Sequence, residues 1–252
     1  DPLMNPDGRD RFLAMMAQNR TAQPGVDDQS PIHTGFWPAG RTNHYLFDLN
    51  RDWLFVTQPE SRDRDRAIGE WNPHYVIEGH EMGSQSTFFF EPPREALNPN
   101  FPASEQKWEA RFGENQAAAF DAHGWRYFNG ENYDNWYPGF TSSWAPLRGA
   151  IGNLYEQAKI STDAVRHANE ALEAYRESVH HQLVSTMANL AFLAKNRKEI
   201  LADFLAEKRL AVGPDAIFPA RTWAILPTAN AARLRRFLDL LDVQKVEVLA
   251  AE

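Results

Sequence analysis

The feature that most constrains the fold is a long stretch free of glycine and proline, residues 161–209, in a chain otherwise rich in both. Its first half carries apolar residues at alternating spacings of three and four: Val165, Ala168, Leu172, Tyr175 and Val179. This period indicates an amphipathic helix, and no helix breaker interrupts it. We therefore expect a helical segment over 161–209, in which Asn196-Arg197 could mark a break into two packed helices.

The preceding region has short apolar runs between loops rich in Pro, Gly and Asn. The runs at 44–49, 75–80 and 87–90 predict strands, while 59–71 and 104–122 predict helices. Strands that alternate with helices favour an α/β fold with a mixed sheet flanked by helices. After the helical segment, a strand at 222–226, a helix at 228–241 capped by Thr228, and a strand at 246–249 would form a small βαβ unit. The expected segments are 1–160, 161–209 and 210–252.

Composition excludes several classes of function. A net charge of -8, from 26 Lys and Arg against 34 Asp and Glu, argues against a nucleic-acid partner, which needs clustered cations. The chain has no cysteine, so any metal must sit on His, Asp or Glu. No run reaches the roughly 18 to 20 apolar residues of a membrane span. The compartment stays open, with a secreted or periplasmic location as the expectation.

Two apolar runs end in residues that can do chemistry. One delivers His80 in Glu78-Gly79-His80-Glu81, and the other ends at Glu156. Open α/β sheets bind ligands at the carboxyl ends of their strands, and a carboxylate in such a place has the raised pKa of a general base. The plainer alternatives are a hydrogen-bonded structural histidine and a salt-bridged structural glutamate.

Two further motifs precede these runs. Asn5-Pro6-Asp7-Gly8 has the chemistry of a tight turn. Asn50 and Arg51, in Asp48-Leu49-Asn50-Arg51, come directly after an expected strand, where an amide and a planar guanidinium could clamp a carboxylate. A surface ion pair is the alternative for Arg51.

Taken in chain order, these motifs resemble the zinc carboxypeptidases of the carboxypeptidase A type. The resemblance covers about residues 1–159, and Asp48-Leu49-Asn50-Arg51 and His80-Glu81-Met82-Gly83 are its most specific parts. It implies an enzyme that removes C-terminal amino acids from peptides, with Zn²⁺ as cofactor and a peptide with a free C-terminus as partner.

The resemblance also implies a role for each matching residue. It makes His80 a zinc ligand, Glu156 the catalytic carboxylate, and Tyr137 a cap on the bound substrate that also assists catalysis. Asn50 and Arg51 would hold the terminal carboxylate of the substrate. The arginine that stabilises the oxyanion could be Arg20 or Arg41, and we favour Arg41 because it leads into the segment that ends at Asn50.

The sequence departs from the family in its metal ligands. The family carries a His-x-x-Glu segment before the Asn-Pro-Asp-Gly turn, whereas the motif occurs here only at His167 to Glu170, where we expect a solvated helix surface. A catalytic zinc needs three protein ligands. We therefore expect a later part of a catalytic domain that by itself holds zinc weakly, is inactive, and could self-associate through an exposed sheet edge.

Two alternative functions stay open. A related zinc amidohydrolase, such as a deacylase or a peptidoglycan-cleaving enzyme, would share the same scaffold and Glu156. An inactive module could instead grip sugar or peptide with the aromatic residues Trp125, Tyr127, Tyr133, Trp136 and Tyr137, although these also suit core and lid packing.

Overall fold

The structure, a computed structural model, describes residues 3–23, 25–216 and 222–250. The helices of this part are α1 (Pro6–Asn19), α2 (Pro31–Thr34), α3 (Pro59–Trp71), α4 (Ala103–Asp121), α5 (Thr141–Leu147), α6 (Tyr175–Val212) and α7 (Ala231–Val243). The strands are β1 (Tyr75–Met82), β2 (Phe88–Phe90), β3 (Ile151–Ala158), β4 (Ala164–Arg166) and β5 (Leu172–Ala174). The helices expected at 59–71 and 104–122 are thus confirmed as α3 and α4.

The main sheet has the strand order β1-β3-β2. β1 runs parallel to β3 along its whole length, and β2 runs antiparallel to β3 on the other side. This confirms the expected α/β fold with a mixed sheet, as well as the strands expected at 75–80 and 87–90. Every residue of the central strand β3 is buried, including the polar residues Asn153, Glu156 and Gln157.

The expected strand at 44–49 is wrong. Its place is taken by a turn and a 3-10 helix, Leu49–Arg51. The cause is local hydrogen bonding: Asn43 Oδ1 accepts from the amides of Tyr45 and Phe47, at 3.1 and 3.0 Å, and Asp48 Oδ1 accepts from the amide of Asn50 at 2.9 Å. These side chains hold the backbone in turns that no sheet ladder could share.

The two faces of β3 are covered by different helices. On one face Ile151 packs with residues of α4 and α6, and the hydroxyl of Tyr155 lies 2.5 Å from that of Thr186 in α6. On the other face Gly152 lies so close to α5 that an added Cβ would stand 2.5 Å from the carbonyl oxygen of Ser142. Because side chains alternate along a strand, Glu156 shares the α5 face with Gly152.

The segment 161–209 is only partly as expected. Its first part forms the antiparallel hairpin of β4 and β5, and α6 then runs from Tyr175 to Val212 without a break at Asn196. Asn196 fits inside the helix because its amide donates to the carbonyl of Phe192 at 2.8 Å and accepts from Arg111 at 2.9 Å. The helix begins where Glu177 accepts from the amide of Ala174 at 2.7 Å.

The expected βαβ unit at the C-terminal end is wrong within the described residues. Only its helix forms, as α7, and the cap is Asn230, which accepts from the amide of Arg233 at 2.9 Å, rather than Thr228. Residues 222–226 and 246–249 form no strand and have no partner strand; Trp223 and Leu249 are each 79% exposed. The division into three segments stays a prediction. In the described part of the chain, no helix combines the length and apolarity needed to cross a bilayer.

Candidate active site

His80 and Glu156 lie side by side on neighbouring parallel strands. They are register partners in the β1–β3 ladder, near the carboxyl ends of both strands. Glu156 is buried, while the side chain of His80 is 21% exposed. The sheet therefore brings together an imidazole and a carboxylate that are 76 positions apart in the chain, at the edge where open α/β sheets bind ligands.

The imidazole of His80 is held by two polar side chains. Its Nε2 atom lies 2.5 Å from Glu78 Oε1 and 3.1 Å from Asn50 Nδ2. A protonated Nε2 can donate a hydrogen bond to Glu78, whereas an unprotonated Nε2 can accept one from Asn50. Each protonation state therefore satisfies only one of the two contacts. Burial lowers the pKa of His80, but the hydrogen bond and charge of Glu78, with the charge of Glu156, outweigh it and raise that pKa overall. The contact to Glu78 is then the dominant one.

The start of α5 fixes both partners of His80. The amide of Ser142 donates to Glu78 Oε2 at 3.1 Å. The amide and hydroxyl of Thr141 donate to Asn50 Oδ1 at 3.0 and 3.1 Å. Thr141 thus holds the Oδ1 atom of Asn50, and the Nδ2 atom of Asn50 lies beside the imidazole of His80.

Glu156 sits among groups of both signs. Burial raises its pKa, and the negative charge of Glu78 adds to this rise; the charge of His80, a hydrogen bond from Tyr133 and the charge of Arg41 oppose it, and the net shift is upward. Burial and the neighbouring carboxylate also raise the pKa of the Tyr133 phenol, which stays protonated and can donate. A buried carboxylate with a raised pKa and a fixed donor is suited to accepting and returning a proton.

Of the two candidate arginines, Arg41 is the one whose charge acts on this site. Its charge affects the pKa values of His80, Glu156 and Tyr133, and its Nε atom donates to Asp48 Oδ2 at 3.0 Å. Arg20, by contrast, is exposed at the C-terminal end of α1.

The Asn-Pro-Asp-Gly segment positions the loop that carries Arg41. It forms the start of α1, where Asn5 accepts from the amide of Gly8 at 3.0 Å. Asn5 also donates to the carbonyl of Gly40 at 3.3 Å, and Asp7 accepts from the amide of His44 at 3.1 Å. A Cβ at Gly8 would stand 2.2 Å from the Gly40 oxygen, so this close approach requires glycine. The segment is therefore a helix start and not the expected tight turn, and it holds residues 40–44 in place.

The other expected substrate contacts lie beside the site. The guanidinium of Arg51 is about half exposed, lies 4.4 Å from the ring centre of Phe140, and donates to the carbonyl of Asn50 at 2.7 Å. The hydroxyl of Tyr137 donates to the carbonyl of Arg51 at 2.9 Å. Tyr137 therefore braces the Arg51 segment, and Tyr133 is the tyrosine that contacts Glu156.

Sequence reasoning missed two residues of this site. Glu78 could have been found from the strand period, because residues two apart on β1 share a face and Glu78 precedes His80 by two. In the sequence, Tyr133 belongs only to a set of aromatic residues, and no spacing signal links it to Glu156. That set is dispersed: Trp125 and Tyr127 pack around Phe120, whereas Tyr133 packs on Phe89.

The described residues do not by themselves fit a zinc site. Within 3–23, 25–216 and 222–250, no group of three or more His, Cys, Asp or Glu side chains could hold a metal ion. The His-x-x-Glu motif is not on a helix surface as expected: His167 is buried in the β4–β5 hairpin with its Nε2 atom 2.8 Å from Glu173 Oε2, and Glu170 is exposed in the turn. His80 thus remains the single zinc ligand that the resemblance supplies.

Comparison with known proteins adds little to this geometry. No protein-family model matches the chain, and no curated protein does. Among solved structures, the chain is similar to a putative carboxypeptidase from Burkholderia mallei ATCC 23344, at 15% identity and a TM-score of 0.43. The match covers 81% of this chain and 55% of that structure, so the chain spans about half of its length.

Proposed function

We propose that the chain carries part of a carboxypeptidase-like hydrolase centre, which removes C-terminal amino acids from peptides with Glu156 as the proton carrier. The observation that supports this most is the in-register placement of His80 and Glu156 at the carboxyl ends of β1 and β3, with Tyr133 and Arg41 acting on the same carboxylate. The order of the motifs in the sequence supports it independently.

In this proposal Glu156 takes a proton from the water that attacks the scissile carbonyl and gives it to the leaving amine. Its raised pKa brings proton transfer nearer to neutral pH. Arg41 faces the negative charge that develops on the carbonyl oxygen, which is where electrostatic stabilisation contributes most. Arg51 attracts the terminal carboxylate of the peptide, and Tyr137 keeps the Arg51 segment in place.

Only the sequence resemblance supports zinc as the cofactor in this proposal. His80 would be one ligand, and the remaining ligands would have to come from beyond the described residues, since these offer no complete set. Residues 1–252 alone should therefore bind zinc weakly or not at all and should not hydrolyse peptides. Metal analysis and a peptide assay on the purified chain test this, and tightly held stoichiometric zinc with turnover would contradict it.

The function is tested by Glu156→Gln in the intact gene product, with release of a C-terminal amino acid as the readout. Loss of the proton carrier should lower kcat by about 10²- to 10⁴-fold, while the metal content stays unchanged because Glu156 is not a ligand. Glu81→Gln is the matched control, since Glu81 is an exposed neighbour on β1. Full activity in the Glu156 variant would sink the assignment.

One observation favours a second candidate, an amidohydrolase or deacylase on the same scaffold. Asn50 Oδ1 is held by Thr141 and its Nδ2 atom lies 3.1 Å from His80, so the amide points at the imidazole and Arg51 alone would remain to bind a terminal carboxylate. Such an enzyme would recognise its acid differently. Parallel assays on peptides and on N-acyl amino acids separate the two, because a carboxypeptidase should prefer the peptides.

A further inference from the structure

A group of histidines lies around Trp125, outside the proposed active site. This histidine cluster consists of His123 after α4 and His180 and His181 in the second turn of α6. The rings of His123 and Trp125 are stacked with centroids 4.2 Å apart, and His180 and His181 meet the same indole edge-on at 5.1 and 4.3 Å. His123 and His180 are themselves 5.6 Å apart. Three imidazoles thus share one aromatic side chain.

The charged groups around the cluster come from three elements. On the β4–β5 hairpin, Glu173 lies 3.6 Å from His181 Nδ1 and 2.8 Å from His167 Nε2. Glu177 of α6 acts on His181 through its charge, and Arg126 acts on Glu173. Two carboxylates therefore face four histidines and one arginine, so protonation of the imidazoles shifts the local balance toward excess positive charge.

The same turns of α6 are attached to the main sheet. Ser178 donates to the carbonyl of Ala158 at the end of β3, at 2.8 Å. Gln182, directly after His181, donates to the carbonyl of His80 at 3.3 Å. The turn of α6 that carries His180 and His181 is therefore hydrogen-bonded to the strands of the candidate active site.

We propose that the histidine cluster is an acid-sensitive latch, which holds the first turns of α6 against the sheet when its imidazoles are neutral and loosens them when they are charged. Charging would place like charges within a few ångströms of one another, close to the N-terminal end of a helix, where positive charge is unfavourable. The inference does not depend on the proposed enzymatic activity.

The direction of the effect follows from His181. Burial lowers its pKa, as do the charges of His180 and His123, while Glu177 opposes them. The folded state then holds fewer protons than the unfolded chain, so the stabilisation is complete above the unfolded value of about 6.5 and is lost as the pH falls below it. Burial also raises the pKa of Glu173, whose proton uptake partly offsets this loss.

The test is hydrogen exchange of the full chain, followed for the peptide that covers residues 175–183. Its protection factors should be about three- to tenfold lower near pH 5 than near pH 7.5. The double variant His180→Gln/His181→Gln should remove this loss. Unchanged wild-type protection, or an equal loss in the double variant, would overturn the proposal.

Two further variants distinguish an effect of the histidine cluster from an effect of the whole helix. His123→Gln changes an exposed side chain, so it should fold normally and still remove part of the acid-induced loss. His74→Gln is the control, because His74 contacts α6 at its other end, through Phe204 at 4.5 Å, and should leave the loss at residues 175–183 unchanged. A loss that is insensitive to His123→Gln but sensitive to His74→Gln would assign the effect to the helix as a whole and reject the latch.

Discussion

This protein has two neighbouring groups of carboxylates, and the two groups differ in whether their partners are charged. At the candidate active site, Glu78 and Glu156 are accompanied by His80, with Arg41 also acting on Glu156. Behind it, Glu91, Glu105 and Glu109 are fully buried, and their partners in the described chain are amides without charge. The first group therefore has positively charged partners nearby, whereas ionising a member of the second group would carry a large desolvation cost.

The buried group is held by neutral donors. Asn135 donates to Glu91 at 3.4 Å and to Glu109 at 3.3 Å, and the amide of Gly152 donates to Glu105 at 2.9 Å. Burial raises the pKa values of Glu91 and Glu105 far above their ordinary range, with the charge of Glu109 adding to both, and burial raises that of Glu109 to about 7. Among the described residues, the two groups thus differ in what opposes the effect of burial: positive charges on His80 and Arg41 at Glu156, and only neutral hydrogen-bond donors at Glu91, Glu105 and Glu109.

The largest expected effect comes from removing the cation at the site. Under the proposed function, Arg41→Ala should lower kcat by about 10²- to 10³-fold, the usual cost of losing a group that stabilises an oxyanion. It should also raise the pKa of Glu156, because the charge of Arg41 opposes that rise, and the acidic limb of the pH–rate profile should move to higher pH. Arg20→Ala is the matched control, and an equal loss there would remove Arg41 from its proposed role.

The second-largest expected effect concerns the buried carboxylates whose partners are uncharged. Because the pKa of Glu109 is higher in the folded state than in the unfolded chain, its contribution to stability is complete at low pH and is lost as the pH rises through about 7. Glu109→Gln cannot ionise, so the free energy of unfolding should lose this pH dependence, worth up to about 3 kcal/mol between pH 5 and pH 8.

Urea unfolding at several pH values measures this contribution. Glu114→Gln, on the exposed side of the same helix, should behave like the unaltered protein. If Glu109→Gln kept the full pH dependence, the carboxyl group of Glu109 would already be ionised in the folded state, and the contrast between the two groups would fail.

The smallest effect comes from a cation that does not face Glu156. Arg51→Ala should raise KM for peptides with a free C-terminus by about tenfold, equivalent to about 1.4 kcal/mol, and should leave the pH–rate profile in place. Peptides with an amidated C-terminus should be unaffected. Equal losses on both substrates would show that Arg51 supports the loop structure instead of binding the carboxylate.

The accuracy of the sequence predictions varied along the chain for identifiable reasons. The helix at 59–71 was placed correctly because Pro59 starts it and its residues favour helix. The hairpin at 164–174 was missed because its apolar residues also fit a helical period, and only pairing between β4 and β5 distinguishes the two. The strands expected at 222–226 and 246–249 failed for the converse reason, since a β-prone run without a partner strand forms no ladder.

The sequence by itself determined the α/β class and the order of the motifs, because apolar periodicity and turn residues act over short distances. It also singled out His80 and Glu156, which end apolar runs. Only the tertiary structure decided that these two residues are register partners, that Tyr133 rather than Tyr137 contacts Glu156, and that Arg41 acts on the same carboxylate. These facts depend on strand pairing and loop anchoring between distant segments, which no local pattern of residues encodes.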